Sequence, residues 1–182
     1  MENLTETKLT SEKIYSGCIL DFYRDTVRLP NGGTAPRELT RHVGAVCIVP
    51  LLDDSRVIVE RQFRYPVNEV ITEIPAGKRD SRDEAPEAAA RRELREETGL
   101  RLTAITHVLP PAACTVGIGD ERTVCVFGTA EGTFRPSADP MEEIESAWYT
   151  RAQVRALHET DLFGSWALAY SWMFANGCLP GV

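Results

Sequence analysis

The stretch Arg92-Glu93-Leu94-Arg95-Glu96-Glu97-Thr98-Gly99-Leu100 decides the fold. At about 100° per residue, Glu93 lies one helical turn from both Glu96 and Glu97, so one helix face carries all three carboxylates. Like charges at those spacings cost a helix roughly a few tenths of a kcal/mol each. A hard divalent cation that takes oxygen ligands, such as Mg²⁺ or Mn²⁺, would offset that cost. A solvated Glu/Arg face with ordinary ion pairs would also do so, and Arg92, four residues before Glu96, can pair with it. The ends of the helix are marked: Pro86 suits its first turn and Gly99 the position just past its last. Glu84 and Glu87 suit the positive end of its dipole. Just upstream, Ile74-Pro75-Ala76-Gly77 ends a strand, and Gly77 allows a turn that points a backbone carbonyl toward the carboxylates.

Outward from this helix, β-branched and aromatic residues mark strands. Residues 14–29 and 36–43 read as a hairpin around Pro30-Asn31-Gly32-Gly33. Residues 44–52 form a buried strand with 56–63 as its partner, and 70–77 form another. Strands are also expected over 101–109, 122–130 and 144–149. Thr150 can cap a short helix over 151–158. Trp166, Ala169, Trp172 and Met173 recur at helical spacing and read as a core-facing stripe. Residues 1–12 read as a frayed lead-in. The alternation argues an α/β chain with α/β/α layering.

Composition bounds the function. The 182 residues suffice for one domain with a core of its own, and the net charge of −7 argues against non-specific nucleic-acid binding. The longest apolar run, Gly44 to Leu52, is too short to span a membrane. The polar opening MENLTETKLTSEK predicts no signal peptide. Five cysteines without a C-x-x-C pair read as reduced thiols in a cytoplasmic protein.

The segment Gly77 to Leu100 resembles the Nudix box, G-x5-E-x7-R-E-U-x-E-E-x-G-U, where U is aliphatic. Glu84, seven residues and RELREETGL fit it, whereas the six residues KRDSRD between Gly77 and Glu84 exceed the box by one. This bears only on the loop and on Glu84. The order of GAV strand, RQFRYP, EIPAG and box is similar to the ADP-ribose pyrophosphatase subfamily over roughly residues 14–160. The resemblance implies a Nudix-type α/β/α sandwich with a mixed central sheet (44–182) and a small N-terminal antiparallel β-sheet (1–43) that serves dimerisation and base contacts. It also implies a homodimer with shared active sites.

Residue by residue, the resemblance makes Glu93 and Glu97 the main metal ligands and Glu96 an adjacent ligand or water-holding carboxylate. The carbonyl of Ala76 completes a metal shell, and Arg92 orients the carboxylates. Arg64 reaches the substrate's phosphate side. Arg37 and Glu38 lie near the adenine; an inter-strand ion pair is the other reading of these two. Glu142, in the loop 131–146, aligns with the general base, and Glu143 is the alternative. In CTVGIGDERT (114–123), Asp120 and Glu121 fit the end of the relatives' P-G-x-S-D-E, and Glu121 is expected at the ribose end. The implied activity is hydrolysis of ADP-ribose to AMP and ribose 5-phosphate with two or three Mg²⁺, or Mn²⁺, ions. The alternatives are another nucleoside diphosphate sugar (ADP-glucose, UDP-glucose or GDP-mannose) or a non-catalytic ADP-ribose sensor. No nucleic-acid or membrane partner is expected.

Overall fold

The computed structural model describes residues 4–18, 20–53 and 55–179. Along the chain run β1 (Thr7–Ser16), β2 (Asp21–Arg28), β3 (Thr34–Arg41), β4 (Ala45–Asp53), β5 (Arg56–Arg64), β6 (Glu69–Glu73) and β7 (Ala76–Lys78). Helix α1 (Pro86–Thr98) follows, then β8 (Arg101–Val108), β9 (Ala112–Ala113), β10 (Arg122–Glu131), β11 (Ile144–Thr150), α2 (Arg151–His158) and α3 (Ser165–Ala175). Two compact units result, residues 1–44 with 112–123, and residues 45–111 with 124–182.

In the first unit, β1, β2 and β3 form an antiparallel sheet in that order. The turn between β2 and β3 is closed by Gly32 at φ 88°, and Asn31 Oδ1 accepts from the Gly33 N–H at 2.9 Å. The lead-in does not fray: residues 7–16 are strand, and only residues 1–3 of it lie outside the description. Its polar composition hid it, because what holds β1 is polar. Ser11 donates to the buried Asp25 at 2.5 Å, and Lys13 and Ser16 both donate to Asp21 at 2.6 Å. Nor is 14–29 one strand. A turn separates β1 from β2, with Gly17 N–H donating to the Leu20 carbonyl at 3.0 Å; Ile19 lies outside the described residues. Residues 115–120 pack on the same unit, where Thr40 N–H donates to the Ile118 carbonyl at 2.8 Å.

The second unit is a layered sandwich. Its sheet is mixed, with β11-β5-β4-β10-β8 in order, β6 paired to β5 and β7 to β4. The expected 70–77 strand is therefore two: Ile74-Pro75 interrupts the ladder, and the halves pair with different neighbours. Strand alternation separates two cores. Val46, Ile48, Ile58 and Val126 pack against Ala89, Ala90 and Leu94 of α1. Cys47, Val49, Val57, Val59 and Phe127 pack against Val154 of α2 and Tyr170 and Phe174 of α3. The buried face of α3 is Ala167, Tyr170, Ser171 and Phe174, whereas Ala169 is exposed and Trp172 is 55% exposed. The expected stripe thus fails at two positions. A helix that is apolar nearly all round carries no periodic signal to select a face.

Among the described residues no disulfide joins the five cysteines. No helix of the described residues is long and apolar enough to cross a membrane.

Candidate active site

Helix α1 starts with Pro86 at its first turn and ends at Gly99, whose φ of 77° is the left-handed cap that glycine favours. Its last carbonyls are satisfied from outside: Ala138 N–H donates to the Glu96 carbonyl at 2.8 Å and Arg135 N–H to that of Thr98 at 2.9 Å. These two bonds tie the loop carrying Glu142 to the carboxylate end of the helix. The loop before α1, one residue longer than the box, is closed by Arg79, which donates to the carbonyls of Arg82 (2.6 Å) and Glu84 (2.8 Å).

Arg92 is the hub of the exposed side. Nε donates to Glu84 Oε1 at 3.1 Å and Nη2 to Glu84 Oε2 at 3.0 Å, a two-pronged pair. Nη1 donates to Glu93 at 2.8 Å and to Glu96 at 3.1 Å, and Nη2 also reaches the Lys78 carbonyl at 3.1 Å. The hydrogen bond from Arg92 holds the Glu84 carboxyl below its ordinary range. Gly77 lies directly over Glu93. A Cβ at this position would stand 2.1 Å from the Glu93 carboxyl carbon, so any side chain here would displace that carboxylate.

Glu97 differs from the carboxylates around Arg92. It is 7% exposed, and its carboxylate accepts a hydrogen bond from the Ala76 N–H at 3.1 Å. Burial, then the charges of Glu60, Glu93 and Glu142, push its carboxyl far above the usual carboxylate range. Burial likewise raises Glu93 against the pull of Arg92. Glu142 is exposed, with its N–H on the Asp139 carbonyl at 3.1 Å, yet its charge acts on Glu60, Glu93 and Glu97. Arg64 donates through Nε to Glu73 at 2.6 Å, on the same sheet.

The structure thus gathers Arg92, Glu93, Glu96, Glu97, Ala76 and the charge of Glu142. Of the other four predicted residues, Arg64 lies on β5 of the second unit, paired with Glu73, and Arg37, Glu38 and Glu121 belong to the first unit. Arg37 forms a two-pronged pair with Glu6, and Glu38 meets Arg24 at 3.4 Å, so each is ion-paired, though not to the other. Glu121 accepts from the Thr123 hydroxyl at 3.3 Å. Sequence reasoning missed Glu60. This residue is 3% exposed on β5, accepts from the Ser146 hydroxyl at 2.9 Å, and is pushed up to about 7, first by burial. The signal was a charge in register with Ile58, at the end of the apolar run Val57-Ile58-Val59.

The NUDIX domain model matches residues 41–167. The chain belongs to the Nudix family. It is 42% identical over 108 residues to an ADP-ribose pyrophosphatase of Bacillus subtilis, a match that spans 59% of this chain and 58% of that protein. It is 34% identical over 165 residues to an ADP-ribose pyrophosphatase of Mycobacterium tuberculosis, covering 88% of this chain and 79% of that one. A solved structure described as an ADP compounds hydrolase superposes with a TM-score of 0.79 at 21% identity, over 98% of this chain and 100% of that one, and shares the fold. Nudix hydrolases generally use divalent ions such as Mg²⁺.

The residues present fit such an ion. Among the described residues no three acidic, imidazole or thiol side chains stand ready-made as a ligand set. The donors are nevertheless the hard oxygens that Mg²⁺ prefers. Buried Glu97 and half-buried Glu93 repel one another and Glu142, and Gly77 leaves no side chain over Glu93.

Proposed function

We propose that this Nudix protein hydrolyses the pyrophosphate bond of ADP-ribose, giving AMP and ribose 5-phosphate. The observation that carries this reading is the carboxylate face of α1, with Glu93 beneath Gly77 and Glu97 buried beside Ala76. The two relatives named ADP-ribose pyrophosphatase supply the substrate class. Glu93, Glu97, Glu96 and the Ala76 carbonyl would hold two or three Mg²⁺ ions. Bound there, the ions neutralise phosphate oxygens and make water a better nucleophile.

The chain's own residues do the rest. Arg92 fixes Glu93 and Glu96 through Nη1, so the carboxylates keep one arrangement through turnover. Glu142 acts as general base, taking a proton from the water that attacks one phosphorus while the bridging P–O bond breaks. Its charge acts on buried Glu60 and Glu97 and on half-buried Glu93, which supports that role. Arg64, steadied by Glu73, offers its guanidinium to the phosphates. Arg37 and Glu38 keep the adenine-side role, and Glu121 the ribose-side role, that the subfamily resemblance gives them.

The protein is proposed to act in the cytoplasm as a homodimer. Strand β1 leaves Leu9, Ile14 and Tyr15 exposed, and a strand edge of that kind invites a second copy. Light scattering should give twice 20.2 kDa.

The deciding experiment is Mg²⁺-dependent hydrolysis of ADP-ribose, ADP-glucose, UDP-glucose, GDP-mannose, NADH and 8-oxo-dGTP, with products separated by chromatography. AMP released from ADP-ribose well ahead of the rest is the expected result. Turnover of another nucleotide sugar alone would replace the substrate and keep the mechanism. Binding without turnover would replace the enzyme with a sensor.

A further inference from the structure

Along β5, Ile58 packs against α1 with Ala89, Ala90 and Leu94. Two residues on, Glu60 faces the same way, since strand side chains alternate. It is one member of a row across three strands: Glu73 of β6 pairs with Glu60, and Glu60 pairs with Ser146 of β11. The outer members serve the inner one differently. Ser146 donates a hydroxyl to Glu60 at 2.9 Å. Glu73 holds Arg64 at 2.6 Å and so brings a guanidinium to the row's edge.

A carboxylate on this face is costly where an aliphatic side chain would complete the core. A buried ionised group is retained only when something of opposite charge meets it. The charges that act on Glu60 are Glu73, Arg64 and Glu142, and Glu60 in turn acts on Glu97. Its surroundings are thus those of the reaction site, with no lysine or arginine hydrogen-bonded to it among the described residues. One neutral hydroxyl does not balance a carboxylate.

We propose that Glu60 is a positioning residue of the cation site: its carboxylate, fixed by Ser146 on the sheet side, adds the buried negative charge opposite α1 that draws a divalent ion in and holds the ion's outer hydrogen-bonded shell. Outer-shell partners of this kind typically change metal affinity by about 10–100-fold. The proposal rests on the reading of α1 as a cation-binding helix, and it assigns a role to the sheet as well as to the helix.

The test uses the full chain with Mn²⁺ and Mg²⁺ as probes and no nucleotide. Mn²⁺ binding is followed by loss of the free-ion EPR signal, with Mg²⁺ competition, for the wild type, Glu97→Gln and Glu60→Gln. Glutamine keeps the shape of Glu60 and still accepts from Ser146, so a purely structural role predicts unchanged affinity. The expected result is Mn²⁺ binding about 10–100-fold weaker in Glu60→Gln, in a protein that melts cooperatively. Affinity within about twofold of wild type, with Glu97→Gln still impaired, overturns the proposal and leaves the cation reading standing. A wild type that binds neither ion overturns both. Should Glu60→Gln fail to fold, Glu60→Met, close in volume and uncharged, carries the same expectation.

Discussion

The two faces of one sheet in the second unit make opposite use of burial. Toward α2 and α3 the sheet presents Cys47, Val49, Val57, Val59 and Phe127, and the helices answer with Val154, Tyr170 and Phe174. Phe127 and Tyr170 meet edge to face at 5.3 Å. That face is built from apolar area and well-formed ring contacts. Toward α1 the same strands begin apolar, with Val46, Ile48 and Ile58, and then give way to Glu60 beside Glu97. Packing against one helix stabilises the fold; packing against the other holds charge where water would otherwise disperse it. A helix with crowded carboxylates can bear its own repulsion when the far side of the sheet contributes apolar packing.

This contrast predicts that damage to the two faces will separate activity from stability. The largest effect should come from Glu97→Gln. On the proposed roles, turnover should fall by about two orders of magnitude or more, since a carboxylate proposed to hold the ion would be lost. Melting of the metal-free protein should not fall, because glutamine matches the neutral, protonated form that burial and the neighbouring carboxylates favour at Glu97. Near-normal turnover would remove Glu97 from the site. Phe174→Ala is the reciprocal probe. Phe174 is fully buried, and its removal should cost about 3–5 kcal/mol, read from urea unfolding. Below the unfolding transition the turnover of this variant should stay close to wild type. A large loss of turnover in fully folded protein would mean the two faces are coupled.

Gly77→Ala probes the boundary between the faces with a single methyl group. The added carbon would stand 2.1 Å from the Glu93 carboxyl carbon, so Glu93 must move. A displacement of that order should lower turnover by about a hundredfold while costing about 1–3 kcal/mol of stability. Equal turnover in the alanine variant would show that Glu93 has room the structure does not give it.

The same contrast explains what was legible in the sequence. Helix α1 was readable because its pattern is written at helical spacing: three glutamates on one face, proline at the start and glycine at φ 77° past the end. The capped α2 and the turn at Asn31-Gly32 have local chemistry and were readable in the same way, whereas the break at Ile74-Pro75 inside the expected 70–77 strand, and the change of partner between β6 and β7, were not. Glu60 was hidden because its meaning depends on Ser146 and Glu73, residues distant in sequence that only the sheet register brings alongside. Strand β1 was hidden for a related reason. Its partners are side chains such as Asp25 and Asp21, and a polar run has no hydrophobic period to betray it. In α3 the failure ran the other way, since an excess of apolar residues left Trp172 and Ala169 looking like core.

The smallest effect, and the most direct reading of the two faces, is the pH dependence of stability in protein stripped of divalent ions. On the α1 side, burial raises Glu60 from an ordinary glutamate value to about 7. Between those values the folded chain holds a proton that the unfolded chain has lost, so this contribution is present at low pH and is lost as pH rises through 7. On the α2–α3 side, His158 bonds the Ser171 hydroxyl at 2.8 Å, and burial lowers its value below the usual 6.5. There the unfolded chain binds the extra proton, so the contribution is complete above pH 6.5 and is lost as pH falls below it. The two slopes are opposite in sign and belong to opposite faces. Urea midpoints measured from pH 5 to pH 8 should therefore respond in opposite senses to Glu60→Gln and His158→Gln. The first should lessen the decline toward alkaline pH, to which raised Glu97 and Glu93 also contribute, and the second should lessen the decline toward acid. His158 is partly open to solvent, so its slope should be the shallower of the two, and it should persist when Mg²⁺ is restored, because no proposed ligand lies on that side of the sheet.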